Sequence, residues 1–109
     1  MSSREDTIVA PITAAGSAAV SVVRVSGARV PDLIRSVCDR ADDVLHAPRH
    51  TVYSTLRDAD SGEPIDQGLA VFFQAPNSFT GEDTLELHVH GSPYILRRVL
   101  EGCRAFGIR

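Results

Sequence analysis

The chain has 109 residues, 43% of them apolar, and a formal net charge of −3. That length suits one domain with a modest core, and the charge excludes a non-specific nucleic-acid binder, which needs a basic surplus. All eleven basic residues are arginine, so a phosphate loop of the G-x-x-x-x-G-K-[ST] kind is absent and the chain alone is no P-loop GTPase.

Met1 to Asp6 is short and charged in both signs, with no apolar run behind it. This is not the pattern of a signal peptide, and no stretch approaches the roughly 20 apolar residues of a membrane span. The cytoplasm is the expected compartment. Thr7 to Pro11 reads as a first short strand, and Ile12 to Ala19 as a small-residue connection around Gly16. Val20 to Val25 is β-branched except for Ser21 and Arg24, which predicts a mostly buried strand ending at Ser26-Gly27. Val30, Leu33, Ile34, Val37 and Cys38 fall at helical spacing, with Pro31 and Asp32 suited to the first turn. This helix should end near Asp39 to Asp43, where acidic residues would oppose the dipole of a continuation.

Arg49 to Leu56 reads as a strand, Asp58 to Gly62 as a turn with hairpin chemistry, and Ile65 to Phe73 as the return strand. A polar loop follows: Pro76 fixes one φ, Asn77 and Ser78 can bond to nearby backbone, and Gly81 allows a positive φ. The next strand places Leu85, Leu87 and Val89 on one face and Glu86, His88 and His90 on the other. A last helix spans Pro93 to Phe106, with Ser92 as N-cap, Gly107 as C-cap, and Ile95, Leu96, Val99, Leu100, Cys103 and Phe106 facing inward. The whole is an α+β domain, residues 1 to 109, with a mixed sheet and two main helices. Cys38 and Cys103 fall at apolar helical positions and read as buried free thiols.

Four groups of residues could carry chemistry. Glu86 stands on a strand among apolar neighbours, as a solvated residue or as a site carboxylate. Arg24 lies inside an apolar strand, so it must emerge at an edge or meet an anion, because burying it unpaired is very costly. His88 and His90 form an H-x-H pair, which would need a further metal ligand; Glu86, His46 and His50 are of suitable type, but their spacing does not mark them, and no metal site is expected. Asn77, Ser78, Thr80, Gly81, Glu82 and Asp83 form the polar loop, whose first role is local hydrogen bonding. Adjacent strand residues point oppositely, so Glu82 and Asp83 make a poor acid–base dyad.

The block Pro76-Asn77-Ser78-Phe79-Thr80-Gly81-Glu82-Asp83, followed by Glu86 and His90-Gly91-Ser92-Pro93, resembles the N-terminal domain of the tRNA-modification GTPase family MnmE, also called TrmE. Members of that family run P-N-S-[FY]-T-G-E-D…E…H-G-x-P. A second block agrees, Asp6 to Ala10 followed by Val22 to Gly27, and the resemblance covers nearly the whole chain.

The resemblance implies a module that binds a tetrahydrofolate derivative (5-formyl- or 5,10-methylene-tetrahydrofolate) and forms a homodimer with folate sites at or near the interface. Glu86 aligns with a folate-contacting glutamate, able to accept two N–H groups of the pterin edge in a fork, and Arg24 with an arginine that contacts the folate. Asn77, Ser78, Thr80, Gly81, Glu82 and His90 would shape the pocket, His90 through an imidazole bond to backbone. The family also implies a flavoprotein partner of the MnmG kind, and wobble-uridine tRNA reached only through the full-length complex. Its helical and GTPase domains, and a lysine implicated in folate binding, belong to segments beyond Arg109. The family's P-P-G-R-G-G-like first loop reads here Ala14-Ala15-Gly16-Ser17-Ala18-Ala19, which would narrow a pocket. The alternative is a dimerisation-only module with a degenerate folate pocket; a small metal-dependent hydrolase built on the two histidines is a third class.

Overall fold

In a computed structural model, the structure describes residues 6–12, 19–78 and 80–109. Five strands form one sheet in the order β1-β2-β5-β4-β3: β1 Ile8–Pro11, β2 Val20–Ser26, β3 Val52–Arg57, β4 Pro64–Phe73 and β5 Thr84–His90. Three helices, α1 Val30–Val37, α2 Ala41–His46 and α3 Pro93–Ala105, complete it. The α+β class stands, with every pairing antiparallel where the sequence pattern predicts a mixed sheet. The reason is the β2-to-β3 connection. Its two helices carry the chain past the positions later filled by β5 and β4, and β3 comes down on the far edge instead of returning parallel.

Burial alternates along the strands, and that alternation makes the sheet two-sided. Val23 and Val25 of β2, Leu85, Leu87 and Val89 of β5, and Ala70 and Phe72 of β4 are buried with Val30, Leu33, Ile34 and Val37 of α1 and Val99 and Cys103 of α3 in one core. Each such aliphatic side chain contributes roughly 1.5–3 kcal/mol by leaving water. The other face carries Val22, Arg24, Glu86, His88, Leu69 and Val71, so β2 is buried on one face only. Gly68 of β4 lies close beside the His88 carbonyl of β5. A Cβ there would lie 2.2 Å from the carbonyl oxygen of His88, so only glycine permits this pairing.

The helix ends follow local rules, with one surprise. Asp42 and Asp43 do not merely stop α1; they open α2, where their charges suit the helix dipole. Between the two helices Cys38 is extended and bridges Leu56 of β3. Ser92 Oγ accepts the Ile95 N–H at 3.3 Å as the cap of α3. At the other end, the Gly107 and Ile108 N–H groups bond to the Arg104 and Cys103 carbonyls, with Gly107 at φ 101° and Ile108 buried. These two bonds form a Schellman turn with its hydrophobic contact. Asp58 accepts the Asp60 and Ser61 N–H groups across the β3–β4 turn, which hold its carboxyl below the usual range. Cys38 and Cys103 are free and buried, and burial pushes both thiols up to about 12.

Candidate functional site

Arg24 and Glu86 are direct cross-strand partners in the β2–β5 register. Their side chains meet at 3.0 Å, Arg24 Nη2 donating to Glu86 Oε2. The Glu86 side chain is only 13% exposed and that of Arg24 is 30% exposed. His88, two residues along the same face, brings its Nε2 to 3.3 Å from Glu86 Oε1. The carboxylate thus lies between a guanidinium and an imidazole, one on each oxygen. Two oxygens offer about four lone-pair sites, so Glu86 keeps acceptor capacity for a ligand's N–H groups.

The loop between β4 and β5 uses most of its polar groups on itself. Ser78 Oγ donates to the Glu82 carbonyl, and Thr84 Oγ1 donates to the same carbonyl at 3.2 Å. Asp83 Oδ1 accepts the Ala75 N–H at 2.8 Å, and the Asp83 carbonyl takes the Gly27 N–H at 2.9 Å. Thr80 reaches outward, its Oγ1 2.7 Å from Ser26 Oγ on β2. Gly81 has φ 80°, the positive value its place in the turn suggests.

This loop divides two clefts. One, of about 310 Å³, is lined by Arg24 and Ser26 of β2, Thr80 and Glu82 of the loop, and Ile8, Ala10 and Ile12 of the first strand region. The other, of about 400 Å³, is lined by Arg49, Phe73, Pro76, Asn77 and Ser78. The predicted loop residues therefore divide between the clefts: Thr80 and Glu82 stand with Arg24, Asn77 and Ser78 with Arg49. The altered first loop, Ala14 to Ala19, lies outside the described residues except for Ala19, whose carbonyl accepts the Gly91 N–H at 2.8 Å.

His90 does not join this group. It ends β5 while the loop begins it, and six strand steps separate them, roughly 20 Å. Its imidazole bonds a carboxylate where backbone was expected: Nδ1 lies 2.8 and 3.1 Å from the two Asp66 oxygens, and the His90 N–H bonds Asp66 as well. The Asp66 side chain is 10% exposed and that of His90 72%, so the carboxylate holds the ring by its inner nitrogen. Of the other histidines, His50 bonds the Pro48 carbonyl within its own turn. Among the described residues no group of three or more His, Cys, Asp and Glu is placed to hold a metal ion.

Asp66 and Arg49 are the residues that sequence reasoning did not single out. Asp66 could have been found as an acid on the strand next to His90. The sequence pattern reads Arg49 as the first residue of a strand; the structure starts that strand at Val52 and places Arg49 in the preceding turn, where its φ of 71° is incompatible with an extended chain.

The family model for the N-terminus of the GTP-binding protein TrmE matches residues 7–109. A tRNA modification GTPase MnmE of Methylibium petroleiphilum is 51% identical over 98 residues, covering 90% of this chain and 20% of that protein. Proteins of the same name from Acidovorax sp. and Stutzerimonas stutzeri are 49% and 46% identical, over 90% and 95% of the chain. The chain spans about 20% of the length of these curated relatives.

Proposed function

The chain belongs to the TrmE N-terminal family, and from that premise we propose that it is the folate-binding and dimerisation module of a tRNA-modification GTPase. One observation carries the reading: a carboxylate largely withdrawn from water, Glu86, is held between Arg24 and His88 on the sheet face that no helix covers. A pterin edge presents adjacent N–H donors, and an oriented carboxylate accepts them in a charge-assisted fork. Arg24 both fixes Glu86 and lines the cleft beside it, where a ligand carbonyl would find a donor. The ligand is a 5-formyl- or 5,10-methylene-tetrahydrofolate that supplies a one-carbon unit. The chain binds and presents that ligand without itself making or breaking bonds.

Self-association suits the same face. Ile8, Ile12, Val20 and Tyr53 are exposed apolar side chains on or beside it, and burying them against a second copy would remove them from water. A flavoprotein of the MnmG kind and tRNA would be reached through the longer protein, in the cytoplasm. A second reading keeps the pairing and drops the ligand: the Arg24–Glu86 bond closes the pocket, and the face serves only to join two copies.

Calorimetric titration of 5-formyl-tetrahydrofolate, run beside Glu86→Ala and with sedimentation to give the oligomeric state, separates the two. Saturable binding lost in the variant supports the folate module. A folded dimer that gives no heat leaves association alone.

A further inference from the structure

A third cleft, of about 430 Å³, opens between α3 and the start of β2, on the side of the sheet away from Glu86. Ser21 forms its floor. It shares a strand face with Val23 and Val25 and so points toward the helices. Ser21 is only 4% exposed. Its hydroxyl bonds no group among the described residues and is not sealed from solvent, so it opens into the cleft that it lines. A buried hydroxyl without a partner costs a fold stability and calls for an explanation. The helix supplies walls and rim. Pro93, Leu96 and Leu100 recur at spacings of three and four and make one apolar stripe. Both leucines pack against the core yet stay half-buried. Beside the stripe stand Arg97 and Arg104, exposed and about 10 Å apart along the same side of α3. Neither has an ion pair or hydrogen bond among the described residues. Arg97 lies 5.9 Å from the Tyr94 ring centroid, at the outer limit of a cation–π contact. Glu101 stands between them, so the rim sets two cations against one anion.

We infer that this cleft binds a small amphiphilic anion. The ligand is an aliphatic acid whose carboxylate meets Arg97 or Arg104, whose chain lies on Pro93, Leu96 and Leu100, and whose one further oxygen bonds Ser21. Each part answers a group that the cleft presents. The apolar stripe leaves water, an arginine takes the carboxylate in a fork, and the hydroxyl gains the partner it lacks. The volume falls in the range of small-molecule sites, about 300–1,000 Å³, and apolar walls with a few convergent polar groups are their usual make-up. A second copy of this chain fits less well, because it would set the same positive surplus against this one. The inference is independent of the folate reading, since Glu86 faces the other side of the sheet.

The experiment titrates decanoate, 10-hydroxydecanoate and decanol into labelled protein and follows each by NMR. Decanoate should shift Ser21, Leu96 and Leu100 saturably, and decanol should bind about tenfold more weakly. Arg97→Gln combined with Arg104→Gln changes two exposed side chains, so a folded variant is expected. It should weaken decanoate about tenfold and leave decanol unchanged. 10-Hydroxydecanoate should bind more tightly than decanoate, a preference that Ser21→Ala removes. Equal binding of the two acids to the wild type would strike the hydroxyl from the site. Decanol bound as tightly as decanoate, decanoate indifferent to the paired arginine substitutions, or shifts away from this cleft would overturn the inference. So would a Leu96→Ser variant, folded by circular dichroism, that changes the oligomeric state in sedimentation without any probe, since a second copy would then cover the cleft.

Discussion

Arg24 and Arg49 stand on either side of one loop and are held in opposite ways. Arg24 is fixed by the sheet: its strand pairs on both sides, opposite Ala10 and Glu86, and its guanidinium meets Glu86 at 3.0 Å. Arg49 is fixed by its backbone alone, through a strained φ and one hydrogen bond to β4, and its side chain reaches no described carboxylate. The first arginine stabilises the fold and orients a carboxylate. The second is carried at a small cost to the fold, which makes it the more informative of the two. The first charge is accounted for by its protein partner, whereas the second stands in solvent on a backbone angle that glycine would hold at less cost.

The severest way to break the contrast is to disturb the β4–β5 strand pair, which carries Glu86 and Phe73. Gly68→Ala would push a methyl group into the His88 carbonyl, which a Cβ would approach to 2.2 Å. A loss of roughly 3 kcal/mol or more is expected from chemical denaturation, as for other overpacked sites. A two-state transition unchanged from wild type would show that β4 and β5 pair otherwise. Arg24→Ala comes next. It leaves a Glu86 side chain only 13% exposed with His88 as its remaining described side-chain partner, and about 1–2 kcal/mol should be lost. Arg49→Gly should act in the opposite direction: relief of the positive φ exceeds the added freedom of the unfolded chain, for a gain of about 0.5 kcal/mol. If thermal melts gave both substitutions the same sign, the division between a structural and an uncommitted arginine would fail.

The parts of the molecule that sequence made legible are those where one residue contradicts its surroundings. An arginine in a β-branched run has to reach an edge or meet an anion, and the structure takes the second course with Glu86 on the neighbouring strand. The period-two alternation of β5 was equally plain, because leucine, leucine and valine could only face the helices. Capping chemistry gave both ends of α3 for the same reason: serine, proline and glycine there have few other uses. Illegible were features that depend on what lies opposite in space. The sheet's antiparallel pairing was hidden because a helical connection is compatible with either direction of return. The His90–Asp66 pair joins residues 24 apart, and Asp66 by itself resembles any strand-edge acid. Arg49 was hidden most completely, since its left-handed backbone angle and its place beside Phe73 at one cleft leave no mark in the sequence.

The two sealed thiols have a practical consequence. Cys38 and Cys103 are the only cysteines of the chain, and both are buried with their thiols pushed up to about 12, so at neutral pH almost no thiolate is available to a maleimide. A cysteine introduced at one rim, by Asn77→Cys or Thr80→Cys, would therefore be the single reactive sulfhydryl of the folded protein. A dye placed there would report on one cleft at a time, without first removing any native residue.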